Sequence, residues 1–218
     1  MEQIDVLIVV STEAELNALL IEAQKISKLS TGFSIIHKPD RTYYDLSRIG
    51  GARTLVLQTE MGTATVGGTL STITLAISEV NPATILMVGI AFGLNPEKHP
   101  IGTILVSKQI QQYEIQRIGT GDQGELVVIP RGDRATATTR VLSRLRATKS
   151  AFTEPVEFGL LLSGEKLLDN VNYRDNINKL EPEALGGEME GGGLYVAATE
   201  KKIDWCVVKA ICDYADGL

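Results

Sequence analysis

At 218 residues, 44% of them hydrophobic and 22% charged, the chain is long enough for one well-buried α/β domain and short for two. A net charge of −6 argues against the clustered basic field that nucleic acid or an anionic membrane requires, and only 5% aromatic residues argues against a base-stacking single-strand binder. The apolar run Val6 to Val10 is too short for a signal-peptide core or a membrane span, so a soluble, cytoplasmic protein is expected, with no nucleic acid or membrane among its partners.

The two cysteines, Cys206 and Cys212, lie six apart on one predicted strand. That spacing points both the same way and too far apart for an unstrained bridge, so buried free thiols are expected. His37 and His99 have no metal-ligand spacing, and neither a metal nor a cofactor is demanded.

In chain order, Ile4 to Val10 reads as a central strand, apolar on both faces. A helix follows Thr12, with Leu16, Leu19, Leu20, Ala23 and Ile26 on one side. Ser34 to His37 and Tyr43 to Ile49 suggest a hairpin turning at Lys38-Pro39-Asp40-Arg41, and Thr54 to Thr59 returns to the sheet. After Gly62 a helix is marked by Val66, Leu70, Ile73, Ile77 and Val80 and closed by Asn81-Pro82. Ile85 to Val88 and Ile101 to Ser107 are strands, and the polar, glycine-bearing stretch from Gln109 to Gly132 is a loop or a hairpin. Arg134 to Ala147 is expected to be helical, Val156 to Leu162 a strand, Glu190 to Lys201 a helix and Trp205 to Ile211 the last strand. The expected architecture is a single three-layer α/β domain over residues 1–218, with a central mixed, mostly parallel twisted sheet flanked by helices.

In such sheets ligands sit outside the carboxyl ends of the strands. Residues just past those ends include Ser11 to Glu15, Gly89 to Gly93 and Cys212 to Asp216. Thr12-Glu13-Ala14-Glu15 has the form of a capping box, and Glu15 is equally placed to hold or deprotonate a water. Glu188-Met189-Glu190 at a predicted helix start compensates the helix dipole on the plain reading. The glycines at 186, 187 and 191–193 each cost roughly 1 kcal/mol of helix propensity, which a close backbone approach to a ligand would explain. On that reading a carboxylate there grips a vicinal diol over a methionine floor. Asp213 is either a turn aspartate or a general acid at the strand end.

With these residues in place, Val88-Gly89-Ile90-Ala91, Ile101 to Ser107, Ser163-Gly164, Glu188-Met189-Glu190-Gly191 and Ala210 to Asp216 occur in an order that resembles the purine nucleoside phosphorylase/uridine phosphorylase superfamily over nearly the whole chain. The nucleosidase branch is the most similar, as are phosphorylase-type domains that serve as effectors in bacterial defence and fungal signalling proteins. The resemblance implies cleavage of the N-glycosidic bond of a purine nucleoside or nucleotide. By position Asp213 then protonates the leaving base and Glu15 positions water. Glu190, with Glu188 beside it, clamps the ribose hydroxyls and Met189 floors the sugar, while Ile90 and Ala91 line the ribose side and Leu167 and Leu168 the base.

Arg41, Arg48 and Arg53, together with Lys38, are candidates for a 5′-phosphate site or a solvated charged surface; ATP is held open as substrate on the former reading. The superfamily's phosphorylases carry a glycine- and arginine-containing phosphate loop after the first strand. Here that place reads Ser11-Thr12-Glu13-Ala14-Glu15, which favours water over phosphate as nucleophile. Phosphorolysis and an inactive nucleotide-sensing module remain the alternatives. The resemblance further implies a homo-oligomer, a last helix missing from this chain, and further domains if the chain is part of a larger signalling protein.

Overall fold

Strand β1 (Val6–Val10) shows how the layers arise. Side chains alternate across a strand, and here Leu7 and Val9 enter one core cluster while Val10 enters another on the opposite face. The neighbouring β4 (Ala52–Gln58) repeats the pattern, sending Leu55 and Leu57 one way and Val56 the other. Helix α1 (Glu13–Ser27) covers the second face through Leu16 and Ala23. The first face is covered by α2 (Thr69–Val80), α3 (Thr139–Thr148) and α5 (Gly191–Glu200), which contribute Ile73, Ile77, Val141, Leu142, Leu194 and Ala198. This computed structural model describes residues 3–27 and 33–217.

The remaining strands are β2 (Ser34–Lys38), β3 (Arg41–Ile49), β5 (Thr84–Gly93), β6 (Ile104–Gln112), β9 (Arg134–Thr136), β10 (Val156–Ser163), β11 (Ala184–Glu188) and β12 (Asp204–Asp213). They form one mixed sheet in the order β11-β10-β6-β12-β5-β1-β4-β3-β2, with β9 beside β6. The β4–β1–β5–β12 run is parallel, as are β6–β10–β11, and the β12–β6 pair between the runs is antiparallel. Helix α4 (Val171–Leu180) packs Ile177 into a third cluster with Phe92, Leu160, Leu162 and Ala184.

One feature goes beyond a plain three-layer plan. Strand β11 pairs with β10 on one side and antiparallel with the end of β5 on the other, at Gly186–Gly93 and Gly187–Phe92. The path β5-β12-β6-β10-β11 therefore closes on itself. The closure depends on glycine, because a Cβ at 186 would strike the Phe92 carbonyl and one at 187 the Phe92 ring. These glycines bring strand to strand, and Gly187 also lines the cavity described below.

Local differences from the sequence-based expectations have local causes. Helix α2 starts at Thr69, so Val66 lies in the preceding loop and is 98% exposed. Gly67 at φ 76° and the bond from the Glu60 amide to the Gly67 carbonyl keep that loop out of helix. The stretch after Gln109 continues β6 to Gln112 and then forms the hairpin β7 (Gln116–Thr120) and β8 (Leu126–Pro130). Residues 134–136 pair with β6 instead of opening a helix, and α3 begins only after Thr138. No helix among the described residues is long and apolar enough to cross a membrane.

Candidate active site

The turn after β1 is a capping box: Thr12 Oγ1 accepts the Glu15 amide at 3.2 Å, and Glu15 Oε2 accepts the Ser11 and Thr12 amides at 2.9 Å each. Its other oxygen reaches further. Glu15 Oε1 accepts the Ile90 amide of β5 at 2.9 Å and lies 3.9 Å from Lys209 Nζ of β12. Only glycine fits at 89, since a Cβ there would collide with this carboxylate. One oxygen of Glu15 thus closes the capping box while the other binds across to β5.

Glu190 stands at the N-cap of α5, where its Oε2 meets Lys209 Nζ at 3.1 Å and its Oε1 accepts the Gly62 amide at 3.4 Å. Glu188, at the end of β11, does the capping: its oxygens accept the amides of Glu190 at 3.0 Å and Gly191 at 2.8 and 3.0 Å. Burial pushes the Glu188 carboxyl up to about 7, with the Glu190 charge adding to the rise and Lys209 opposing it. Lys209 is 1% exposed. Burial alone would lower its pKa, but Glu190, Glu188 and Glu15 together hold it above the ordinary lysine value.

Gly191, Gly192 and Gly193 serve packing. A Cβ on Gly191 would lie 2.7 Å from Glu188 Oε1, one on Gly192 3.3 Å from Ser163 Oγ, and one on Gly193 2.7 Å from the Leu70 amide of α2. They let the start of α5 seat against its neighbours.

Asp213 closes β12 beyond a register shift between Ile211 and Asp213, a bulge that leaves Cys212 as the extra residue. Its Oδ1 accepts the Ala215 amide at 2.8 Å and its Oδ2 the Cys212 thiol at 2.8 Å. Ala215 takes a left-handed φ of 51°, and the turn is held by Arg174 Nη1 donating to the Tyr214 carbonyl at 2.9 Å. Cys206 is buried as expected, but Cys212 is exposed, because the bulge breaks the alternation on which their common direction relied.

Glu15, Glu188, Met189, Glu190, Ile90, Ala91, Leu167, Leu168 and Asp213 all line one cavity of about 130 Å³. Ala91 is buried, Ile90 is half exposed, and Leu167 projects at 81% exposure. Lys209, Met61 and Lys166 line it too and were not singled out from the sequence. A lone lysine or methionine in a strand or loop carries no pattern that names its partners. The Ser11 hydroxyl, on the same turn as Glu15, is buried without a hydrogen-bond partner.

The candidate phosphate-binding arginines are elsewhere. Arg53 is ion-paired with Asp45, and Arg48 Nη1 donates to the Gly51 carbonyl at 2.6 Å. The two are register partners where β3 meets the start of β4. Strand β4 runs parallel to β1, so at about 3.3 Å per residue Arg53 lies about 17 Å from the carboxyl edge where the cavity opens. Arg41 lies 3.7 Å from Glu79 and lines a separate cleft between the β2–β3 hairpin and α2. Among the described residues no cluster of three or more His, Cys, Asp or Glu could hold a metal.

Fold and site together define an α/β protein with a carboxylate-rich cavity at the carboxyl ends of its parallel strands. The chain belongs to the phosphorylase superfamily, whose family model matches residues 5–218. A relative described as a death domain-containing ATP nucleosidase from Amphimedon queenslandica is 30% identical over 62% of this chain, a match that spans 29% of that protein. A 5′-methylthioadenosine/S-adenosylhomocysteine nucleosidase from Staphylococcus aureus is 24% identical over 74% of this chain and 70% of its own length. Among solved structures, the corresponding nucleosidase from Helicobacter pylori superposes with a TM-score of 0.79 at 17% identity, covering 100% of this chain and 88% of that one. Futalosine hydrolase of the same organism gives 0.77 at 17% identity, covering 98% and 86%.

Proposed function

We propose that the chain hydrolyses the N-glycosidic bond of a purine nucleoside, releasing free base and the ribose moiety. The observation that carries this is the convergence of Glu15, Glu190 and Asp213, from three distant parts of the sequence, on one cavity. Breaking the bond builds positive charge on the sugar ring and negative charge on the base. Glu190 opposes the first and engages the ribose hydroxyls, while Asp213 removes the second by giving a proton to the base. Glu15, fixed by backbone amides, holds water on the other side of the reacting carbon. Met189 and the Ile90–Ala91 segment supply apolar wall for the sugar, and Leu167 and Leu168 for the base.

Water is favoured over phosphate by charge. Lys209 and Lys166, the cations among the described lining residues, are both ion-paired, the first with Glu190 and Glu15, the second with Glu114. An incoming phosphate would meet carboxylates with no free cation. Methylthioadenosine nucleosidases among the relatives support adenine as the base. A second reading, cleavage of ATP, is favoured by the sponge ATP nucleosidase. It requires cations for the triphosphate from beyond the cavity wall, because Arg41, Arg48 and Arg53 do not line it.

The test is release of base from a panel of methylthioadenosine, adenosine, AMP and ATP. Asp213→Asn is expected to keep substrate affinity and lose roughly 10²- to 10⁴-fold in turnover, the usual worth of a general acid. Full turnover in that variant removes Asp213 from the chemistry. Binding without any base release by the wild-type chain establishes a sensor instead of an enzyme.

A further inference from the structure

We infer that the Cys212 thiol is a positioning residue for Asp213, turning between the Asp213 carboxylate and the Ala91 carbonyl as the acid loses and regains its proton. The inference rests on Asp213 acting as the acid, as proposed above. Its basis is geometric. The bulge that aims Asp213 also places Cys212 on the cavity wall, with Sγ 2.8 Å from Asp213 Oδ2 and 3.5 Å from the Ala91 oxygen. One donor thus has two acceptors within reach.

The two carboxylate oxygens are not equivalent. Oδ1 is committed to the Ala215 amide at 2.8 Å. Oδ2 is left to carry a transferable proton, and Oδ2 is the oxygen that the thiol addresses. While Oδ2 is protonated it is itself a donor, and the thiol proton is better spent on the Ala91 carbonyl. When that proton passes to a ring nitrogen of the departing base, Oδ2 becomes charged and the thiol turns to it. The sulfur keeps its own proton throughout, so one proton moves, from Asp213 Oδ2 to the base. The thiol is suited to this: partial loss of hydration at the cavity wall first, then the hydrogen bond and charge of Asp213, push its pKa up to about 12, so it is a donor at neutral pH. A thiol is also a weaker donor than a hydroxyl. It steadies the charged carboxylate without holding the acid permanently ionised.

Two measurements test this. The first is the pH profile of kcat/KM for Cys212→Ala and Cys212→Ser. Removing the donor disfavours the charged carboxylate, so the alkaline fall of activity moves to higher pH in C212A; the stronger hydroxyl donor moves it to lower pH in C212S. The order Ala, Cys, Ser is expected with KM little changed, and a fall that does not move in C212A overturns the inference. The second needs no activity. In Asp213→Asn the thiol loses an adjacent charge, and iodoacetamide labelling of the Cys212 peptide at mildly alkaline pH should rise at least about tenfold, one pKa unit's worth. Buried Cys206 is the internal reference. Labelling unchanged in D213N removes the contact, whether or not the chain splits nucleosides. A rise in labelling with no base released from any nucleoside keeps the contact but ends the role in acid catalysis.

Discussion

Lys209 is the residue on which the electrostatics of the cavity turn. It is one buried cation facing Glu190 at 3.1 Å and Glu15 at 3.9 Å, with Glu188 close enough to affect its titration. Removing one partner of a buried pair typically costs about 3–5 kcal/mol, because the other charge is left uncompensated. Lys209→Met should therefore lower stability by that order, and the deficit should shrink between about pH 8 and about pH 5 as Glu188, which Lys209 holds down and burial raises to about 7, takes up its proton. Chemical denaturation at the two pH values checks it, and a deficit independent of pH contradicts it. In the wild type, a lysine whose pKa is raised on folding contributes stability fully below its ordinary 10.5, and loses it only as pH climbs through the raised value. Glu188 has a pH dependence of the same sign in a lower window. A carboxyl raised from 4.5 to about 7 binds more protons folded than unfolded in that window, so stability falls as pH rises through it. Glu188→Gln should flatten that slope, and an unchanged pH dependence of the denaturation midpoint would count against it. Among these residues Glu15 was legible from the sequence, as an acid just past a strand within a capping box. Lys209 was not, since its meaning comes from carboxylates that lie nineteen and more positions away along the chain.

At the scale of elements, the closure of β11 onto β5 is what draws Glu188 and Glu190 towards Asp213. Gly186→Ala would push a methyl into the Phe92 carbonyl, a backbone atom that cannot step aside. Overpacking of this kind costs about 1–3 kcal/mol. The variant should show a lower denaturation midpoint together with weaker ligand affinity, and normal stability would show that the closure is not tightly packed. Strand β11 was invisible in the sequence for a related reason. Ala-Leu-Gly-Gly-Glu lacks the β-branched alternation of a strand, and its glycines serve a crowded junction instead. Helix α4 was missed because Val171–Leu180 is polar over most of its length and buries only Ile177. What marks it is local, the Asn170 side chain accepting the Tyr173 amide at 2.9 Å. Strands β1, β4, β5 and β12, by contrast, are nearly continuous apolar runs and were plain from the start. The position of Arg48 and Arg53 follows from strand direction. Arg53 opens β4 and Arg48 pairs with it from the end of β3, and in a parallel run the opening edge lies away from the ligand.

At the scale of the whole molecule, the net charge of −6 and the acidic cavity point the same way, towards a ligand that brings no large negative charge of its own. Methylthioadenosine and adenosine should therefore give higher kcat/KM than AMP or ATP with this chain alone, and a preference for ATP would reverse the account of the 5′ end. Three carboxylates around one cavity are proposed to split a glycosidic bond with water, and that chemistry leaves a signature in its products. It is tested most directly by identifying the sugar product and the phosphate dependence of base release. A free pentose, formed at a rate that added inorganic phosphate leaves unchanged, is the expected result. A sugar 1-phosphate, or no free base from any purine nucleoside or nucleotide, would contradict it.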